Sequence, residues 1–228
     1  MQIGLLGGTF NPIHNGHLQI SQEILERFPL DQILFIPSGI PPHKVESDIP
    51  SGLHRLEMTR LAVLPFPRFK VLDLEVRRSG PSYSVETLYE LRRTLKGEIY
   101  FIIGIDAFLE IESWKEPDTL ASLCHFIVVS RPEFPFSSLR RIPWIGPVDP
   151  LLLKRVDTGE TDRYALRLPP PPDRAAPRCV IFFRVHPCSI SGTEIRKRFH
   201  QGETVRNLLP EAVRSYIIKH KLYGITES

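Results

Sequence analysis

His14 and His17 stand three residues apart behind Gly7, Gly8 and Thr9, in the stretch GGTFNPIHNGHL that occupies positions 7–18. Paired imidazoles beside small residues suit the holding of phosphate. Gly7 and Gly8 permit a tight turn and let another group approach the backbone, since neither carries a Cβ. Residues three apart on a helix share a side, so both imidazoles can offer N–H groups to one anion. A helix starting here adds unpaired backbone N–H groups and the positive end of its dipole. A lone histidine is most often structural or simply exposed; two in this glycine-rich setting favour phosphate contact. The rival patterns need residues the stretch lacks: GK[ST] for a Walker A loop, GxGxxG for a dinucleotide fingerprint, HExxH for a zinc protease. No third ligand for a metal stands nearby in the sequence, and no protein-held metal is expected.

The elements that must position these residues show as short apolar runs alternating with helical patterns. Strands are predicted at 2–6, 32–36, 69–74, 99–103, 125–129 and 180–185, and helices at 16–28, 53–64, 85–96, 107–113, 192–199 and 211–220. Leu18, Ser21, Leu25 and Phe28, with Ile24 beside them, fall on one face of the first helix. Strands unbroken in their hydrophobicity argue for a parallel sheet covered on both faces. The expected fold is therefore α/β, a Rossmann-like doubly wound parallel sheet with a small C-terminal helical part. Ligands of such sheets lie beyond the carboxyl ends of the strands, near the topological switch point. From 131 to 178, ten of 48 residues are proline, including Pro169 to Pro172. Proline removes a donor and fixes the backbone, so no regular sheet is expected there. Residues 133–178 are read as a surface insertion within a single domain spanning 1–228.

The 228 residues are 42% hydrophobic and 24% charged, with a formal net charge of +3. That balance fits a small anionic ligand no better than no ligand and falls short of a nucleic-acid footprint, so no nucleic-acid polymer is expected as partner. No run approaches a membrane-spanning length, and the chain opens straight into a strand, so neither a transmembrane helix nor a signal peptide is expected. Cys124, Cys179 and Cys188 are odd in number and form no CxxC pair. Reduced thiols in a cytoplasm are the expectation.

GGTFNPIHNGHL resembles the nucleotidyltransferase signature H-x-G-H, standing here as His14-Asn15-Gly16-His17. Further segments narrow the resemblance: IPSGIPPHK at 36–44, EVRRSGPSYSVETL at 75–88, FIIGIDAFLEIESW at 101–114, SRP at 130–132, SISGTEIRKRF at 189–199 and VRNLLPEAVRSYIIKHKLYG at 205–224. In this order they are similar to the bacterial nicotinate-nucleotide adenylyltransferase family, over nearly the whole chain except the proline-rich segment. The resemblance implies transfer of the adenylyl group of ATP to nicotinate mononucleotide, giving deamido-NAD and pyrophosphate in NAD biosynthesis. It implies that Gly7, Gly8, Thr9 and Phe10 line a phosphate cradle and that His14, His17, Lys44 and Arg196 form the catalytic set. It also assigns Gly104, Asp106, Ser191 and Thr193 to ATP, and Gly39, Ile40, Tyr83, Ser84, Trp114 and Arg131 to the acceptor. Magnesium is expected to arrive on the ATP phosphates, with water filling most of its shell. The attacking phosphate is largely dianionic at neutral pH, so no general base is required. The protein's task is to align two polyanions and offset their repulsion.

Several of these residues also have plainer explanations. Ser191-Gly192-Thr193-Glu194 reads as an S-x-x-E capping box. Asp106 reads equally as a helix N-cap. Trp114 suits stacking on a pyridine ring or burial in a core. Lys44 is otherwise an exposed loop lysine. Gly192 stands where the family often has serine or alanine, and Ser84 where threonine is usual. Nicotinamide mononucleotide or another phosphomonoester remains an alternative acceptor, because a carboxylate wants donors whereas an amide also wants an acceptor. A nucleotide-binding regulator without turnover is the alternative of a different class.

Overall fold

The computed structural model describes residues 1–41, 49–142, 146–168 and 178–224. In chain order the elements are β1 (Gln2–Gly8), α1 (Asn15–Arg27), β2 (Gln32–Pro37), α2 (Gly52–Val63), β3 (Phe69–Val71), α3 (Leu74–Arg77) and α4 (Ser84–Thr94). Then come β4 (Glu98–Gly104), α5 (Ile105–Leu109), α6 (Pro117–Leu123), β5 (His125–Val129), β6 (Arg141–Ile142) and β7 (Gly146–Pro147). The last are α7 (Pro150–Asp157), β8 (Arg163–Arg167), β9 (Cys179–Phe183), α8 (Gly192–His200) and α9 (Glu211–Lys219). Seven strands are ordered β3-β2-β1-β4-β5-β9-β8 in the main sheet, and β6 pairs with β7 separately. This is the expected order of a doubly wound sheet, in which sequence neighbours fan outward from β1.

The chain divides into two compact units. One comprises Met1–Leu6 and Tyr83–Pro187; the other comprises Gly7–Ser82 and Cys188–Ser228. In the first unit β1, β4, β5 and β9 run parallel in register, and β8 pairs antiparallel with β9. Every residue of β5 is buried, as an interior parallel strand requires. In the second unit β2 and β3 pair parallel, and α1 buries Leu18, Ile20, Ser21 and Ile24. Helix α9 packs on α2 through an apolar side that buries Val213 and Ile217. Among the described residues no helix is long and apolar enough to cross a membrane.

Among its described residues, the segment expected to exclude regular sheet contains the short strands β6 and β7, strand β8 and helix α7. Strand β8 carries no proline and pairs along its whole length with β9. Pro150 opens α7 at a position where its missing N–H is not needed, and Asp149 caps the same helix by accepting from the Leu151 N–H at 2.8 Å. The prolines bound β8 and α7 instead of interrupting them. Residues 169–177, with the run Pro169 to Pro172, lie outside the described residues.

The amino end of the first unit's sheet holds a buried polar cluster. Arg178, 1% exposed, donates from Nη1 to the Glu98 carboxylate. Arg92 joins the same carboxylate at 3.5 Å. Burial pushes the Glu98 carboxyl up, but the Arg178 and Arg92 guanidinium groups outweigh it and hold the carboxyl below its usual range. Burial, reinforced by Arg178, pulls the His125 imidazole down to about 4 against the opposing pull of Glu98. The 3.6 Å contact between His125 and Glu98 is thus a neutral ring beside a carboxylate at neutral pH.

Candidate active site

The glycine pair closes β1, and the chain then turns sharply. Phe10 adopts a positive φ of 47°, and the Asn11–Pro12 peptide is cis. Phe10 is buried, with its ring edge-on to His17 at 5.1 Å and beside Phe35 at 6.0 Å. A Cβ on Gly8 would lie 3.3 Å from the Phe10 ring, whereas one on Gly7 would meet nothing. Gly8 is therefore fitted to the folded-back aromatic.

His14 is the N-cap residue of α1, in extended conformation, and His17 is the third residue of the helix. Their rings stack, with centroids 3.7 Å apart and planes 28° from parallel. The His14 backbone N–H donates to His17 Nδ1 at 3.2 Å. That bond places the proton of the neutral His17 ring on Nε2, making Nε2 a donor. The two imidazoles share a side of the helix, as their spacing requires. Gly16 between them has a steric reason: a Cβ there would lie 2.9 Å from Cys188 Sγ and 3.1 Å from His14 Nδ1. Asn15 ties the start of α1 to the tail by donating from its backbone N–H to Leu208 O and from Nδ2 to Asn207 O.

Helix α8 also meets the turn. Arg196 Nη1 donates to the Asn11 carbonyl at 2.9 Å, and a Cβ on Gly192 would come within 2.8 Å of the same oxygen. Ser191 caps α8, its Oγ accepting from the Glu194 N–H at 3.2 Å. Glu194 instead pairs with Arg198 at 2.8 Å, so the expected capping box is present only in its serine half. Ser191 and Thr193 are exposed at this helix start.

Beyond β2, Gly39 is held from three sides. Its N–H donates to Ser82 Oγ at 2.9 Å, its carbonyl accepts from Arg55 Nη2 at 2.7 Å, and a Cβ would fall 2.2 Å from the Glu75 carbonyl oxygen. The Gly39 amide is thus committed to Ser82, and Ile40 is held in a parallel bridge to Pro81. Ile40 is 57% exposed, and its carbonyl accepts from the Ser82 N–H. Lys44 lies outside the described residues.

The remaining expected site residues belong to the first unit. Gly104 ends β4 and is itself the N-cap residue of α5. Asp106 lies inside that helix, so the N-cap explanation for it does not hold. Asp106 Oδ1 faces Arg131 Nε at 3.5 Å, with both side chains partly exposed. A Cβ on Gly104 would strike Asp106 Oδ1 at 2.2 Å and Arg131 Nε at 3.0 Å. Glycine here lets this acid–base pair fold over the strand end. Trp114 is half-buried, edge-on to Phe101 at 6.2 Å, and not enclosed as a core tryptophan would be. Tyr83 precedes Ser84 at the start of α4, with Lys115 Nζ 4.6 Å above its ring. Among the described residues no group of three or more His, Cys, Asp or Glu side chains converges as a metal cage would.

The cytidylyltransferase-like family model matches residues 5–198. A Geobacter metallireducens protein named "probable nicotinate-nucleotide adenylyltransferase" is 40% identical over 228 residues, covering 98% of each chain. A Desulfitobacterium hafniense protein of the same name is 41% identical over 225 residues, covering 98% of this chain and 96% of its own. The chain belongs to the nicotinate-nucleotide adenylyltransferase family. Among solved structures, the Plasmodium falciparum nicotinic acid mononucleotide adenylyltransferase complexed with NaAD shares the fold. It is 20% identical, with a TM-score of 0.67 over 99% of this chain and 98% of its own.

Glycine at 192 has a steric reason in this adenylyltransferase-family chain, since α8 begins against the Asn11 carbonyl. Asn11, Arg55 and Ser82 escaped sequence reasoning. Asn11 contributes only its backbone oxygen, which any residue has. Ser82 sits inside the PSYS stretch and was masked by its aromatic neighbour. Arg55 carried a faint signal, because it falls in helical register with Thr59, Ala62 and Val63, all buried.

Proposed function

We propose that this chain transfers the adenylyl group of ATP to nicotinate mononucleotide, releasing pyrophosphate and forming deamido-NAD. The acceptor phosphate attacks the α-phosphorus of ATP, the new P–O bond forms, and the bond to the β-phosphate oxygen breaks in line. The attacking group is already ionised at neutral pH, so the residues have to position and neutralise. One observation carries this reading: two stacked imidazoles sit at the start of α1, behind a glycine turn on which Arg196 is docked. His17 Nε2–H, backbone amides at the turn and the Arg196 guanidinium are donors suited to phosphate oxygens, which gain negative charge as pyrophosphate departs. Lys44 is assigned to the same phosphates by its motif alone.

The gathered donors are imidazoles, a guanidinium and amides, which suit phosphate, whereas magnesium prefers oxygen ligands. A magnesium ion would accordingly be held by the triphosphate and water, supplying charge neutralisation there. For the acceptor, the name borne by the relatives, nicotinate-nucleotide adenylyltransferase, supports nicotinate mononucleotide. The half-exposed face of Trp114 suits a flat pyridine ring, and Asp106 suits the ribose hydroxyls.

A pyrophosphate-release assay with ATP and each mononucleotide tests the proposal. Release with nicotinate mononucleotide at a kcat/KM well above that with nicotinamide mononucleotide is expected. Nucleotide binding without release with either would replace the enzyme with a binding protein, and a preference for nicotinamide would reassign the acceptor.

A further inference from the structure

Arg55 lies outside every motif that resembles the family, yet it is among the most deeply buried large side chains, 1% exposed in α2. Its guanidinium reaches three separate segments. Nε donates to Pro50 O at 3.0 Å, Nη1 to Thr9 O at 2.7 Å and Nη2 to Gly39 O at 2.7 Å. Thr59 Oγ1 donates to the Arg55 carbonyl at 2.7 Å, bracing the helix turn that carries it. Buried Glu75 contributes favourable electrostatics that partly offset the cost of burying this charge. A buried charge is a poor device for stability alone, since an apolar side chain of similar volume often serves as well or better. What an apolar side chain cannot do is hold three carbonyl oxygens in a fixed planar fork.

The consequences run through peptide geometry. In a trans peptide the C=O and the following N–H point in opposite directions. Drawing the Thr9 carbonyl onto Arg55 turns the Phe10 N–H away from the guanidinium. Drawing the Gly39 carbonyl onto Arg55 does the same to the Ile40 N–H. Thr9 belongs to the turn assigned to ATP phosphate, and Gly39–Ile40 to the loop assigned to the acceptor. One side chain thus stands behind both.

We propose that Arg55 is a positioning residue that fixes the phosphate turn at Thr9–Phe10 and the acceptor loop at Gly39–Ile40 in mutual register, setting the alignment of the two reacting phosphates without contacting either substrate. This rests on the adenylyltransfer reading above, and the test separates the two. Turnover by the wild-type protein with ATP and nicotinate mononucleotide tests that reading alone. Arg55→Lys keeps the charge and loses the fork. It is expected to raise KM for both substrates, lower kcat, and reduce kcat/KM by about 100-fold, the scale of an ångström-level misplacement. Val213→Ala, buried in α9, serves as a destabilised control and should lower Tm while leaving kcat and KM unchanged.

If Arg55→Lys lowers Tm as Val213→Ala does and leaves both KM values and kcat intact, Arg55 is structural only and the proposal is overturned. A second readout needs no variant. In wild-type protein with 15N-labelled arginine, the Arg55 Nε–H signal, assigned by through-bond correlation to its own backbone amide, should shift when a non-hydrolysable ATP analogue is added. It should shift again when nicotinate mononucleotide is added by itself. Insensitivity to both ligands would equally overturn it.

Discussion

Two of the histidine clusters among the described residues do opposite things. His125 begins β5, at the amino end of its sheet, stacked on Tyr100 with centroids 4.6 Å apart. Its Nδ1 accepts from the Cys179 N–H at 3.2 Å and touches Cys179 Sγ at 3.1 Å, while Nε2 lies 3.4 Å from Arg178 Nη1. Burial holds this ring neutral and its neighbours occupy both nitrogens, so it serves the sheet. His14 and His17 follow the carboxyl end of β1, stacked on each other at the start of a helix, with His17 only half-buried. A histidine's role follows from which end of the strand it stands near and from how its nitrogens are engaged. Composition would not separate the two clusters; position in the wound sheet does.

The contrast can be broken in several ways, starting with the largest effect. His17→Ala should lower kcat/KM by an amount typical of one lost oxyanion donor, about 2.7–4 kcal/mol in transition-state stabilisation. Its Tm should change little; near-normal steady-state kinetics would remove His17 from the mechanism. His125 should show the reverse, with its effect confined to stability. Its imidazole is held down at about 4 in the folded chain, against about 6.5 when unfolded. Between those values the unfolded state binds more protons, so folding stability is complete above the unfolded value and declines as pH falls toward 4. The loss should approach about 3 kcal/mol, read from urea midpoints across pH. A His125→Gln variant should flatten that slope and keep its kcat/KM.

Gly16→Ala sharpens the comparison further. The new methyl group meets Cys188 Sγ and the His14 ring, so His14 must shift by a few tenths of an ångström. A roughly tenfold loss of kcat/KM is expected, below the 100-fold of a full ångström, with a modest change in Tm; unchanged kinetics would show that His14 need not be held in place. The smallest effect belongs to Ser191→Ala, which removes the α8 cap and should cost about 1 kcal/mol of stability. Should it instead cut turnover by 100-fold, the serine hydroxyl itself would be a ligand of the triphosphate.

Much of this was legible in the residues. The strands announced themselves because interior parallel strands must be apolar on both faces, as Phe126 to Val129 are. The phosphate turn was legible because glycines and paired imidazoles leave few other readings. Other features were hidden. Strand β8 alternates exposed and half-buried residues at a sheet edge and was masked by the prolines on either side. Helix α6 is only seven residues long and starts after Glu116 at a φ of 50°, so its pattern is too short to read. The constraints at Gly192, Gly104 and Gly39 are contacts with backbone or side-chain atoms far away in sequence or bent back from the next turn. Such contacts exist only once the chain has folded.

The most direct test follows the histidine nitrogens themselves. In 15N-histidine-labelled wild-type protein titrated with a non-hydrolysable ATP analogue, the His14 and His17 ring signals should move together and saturate with the analogue, while those of His125 stay fixed. Saturable binding that leaves His14 and His17 unmoved would contradict the assignment of the triphosphate to the start of α1.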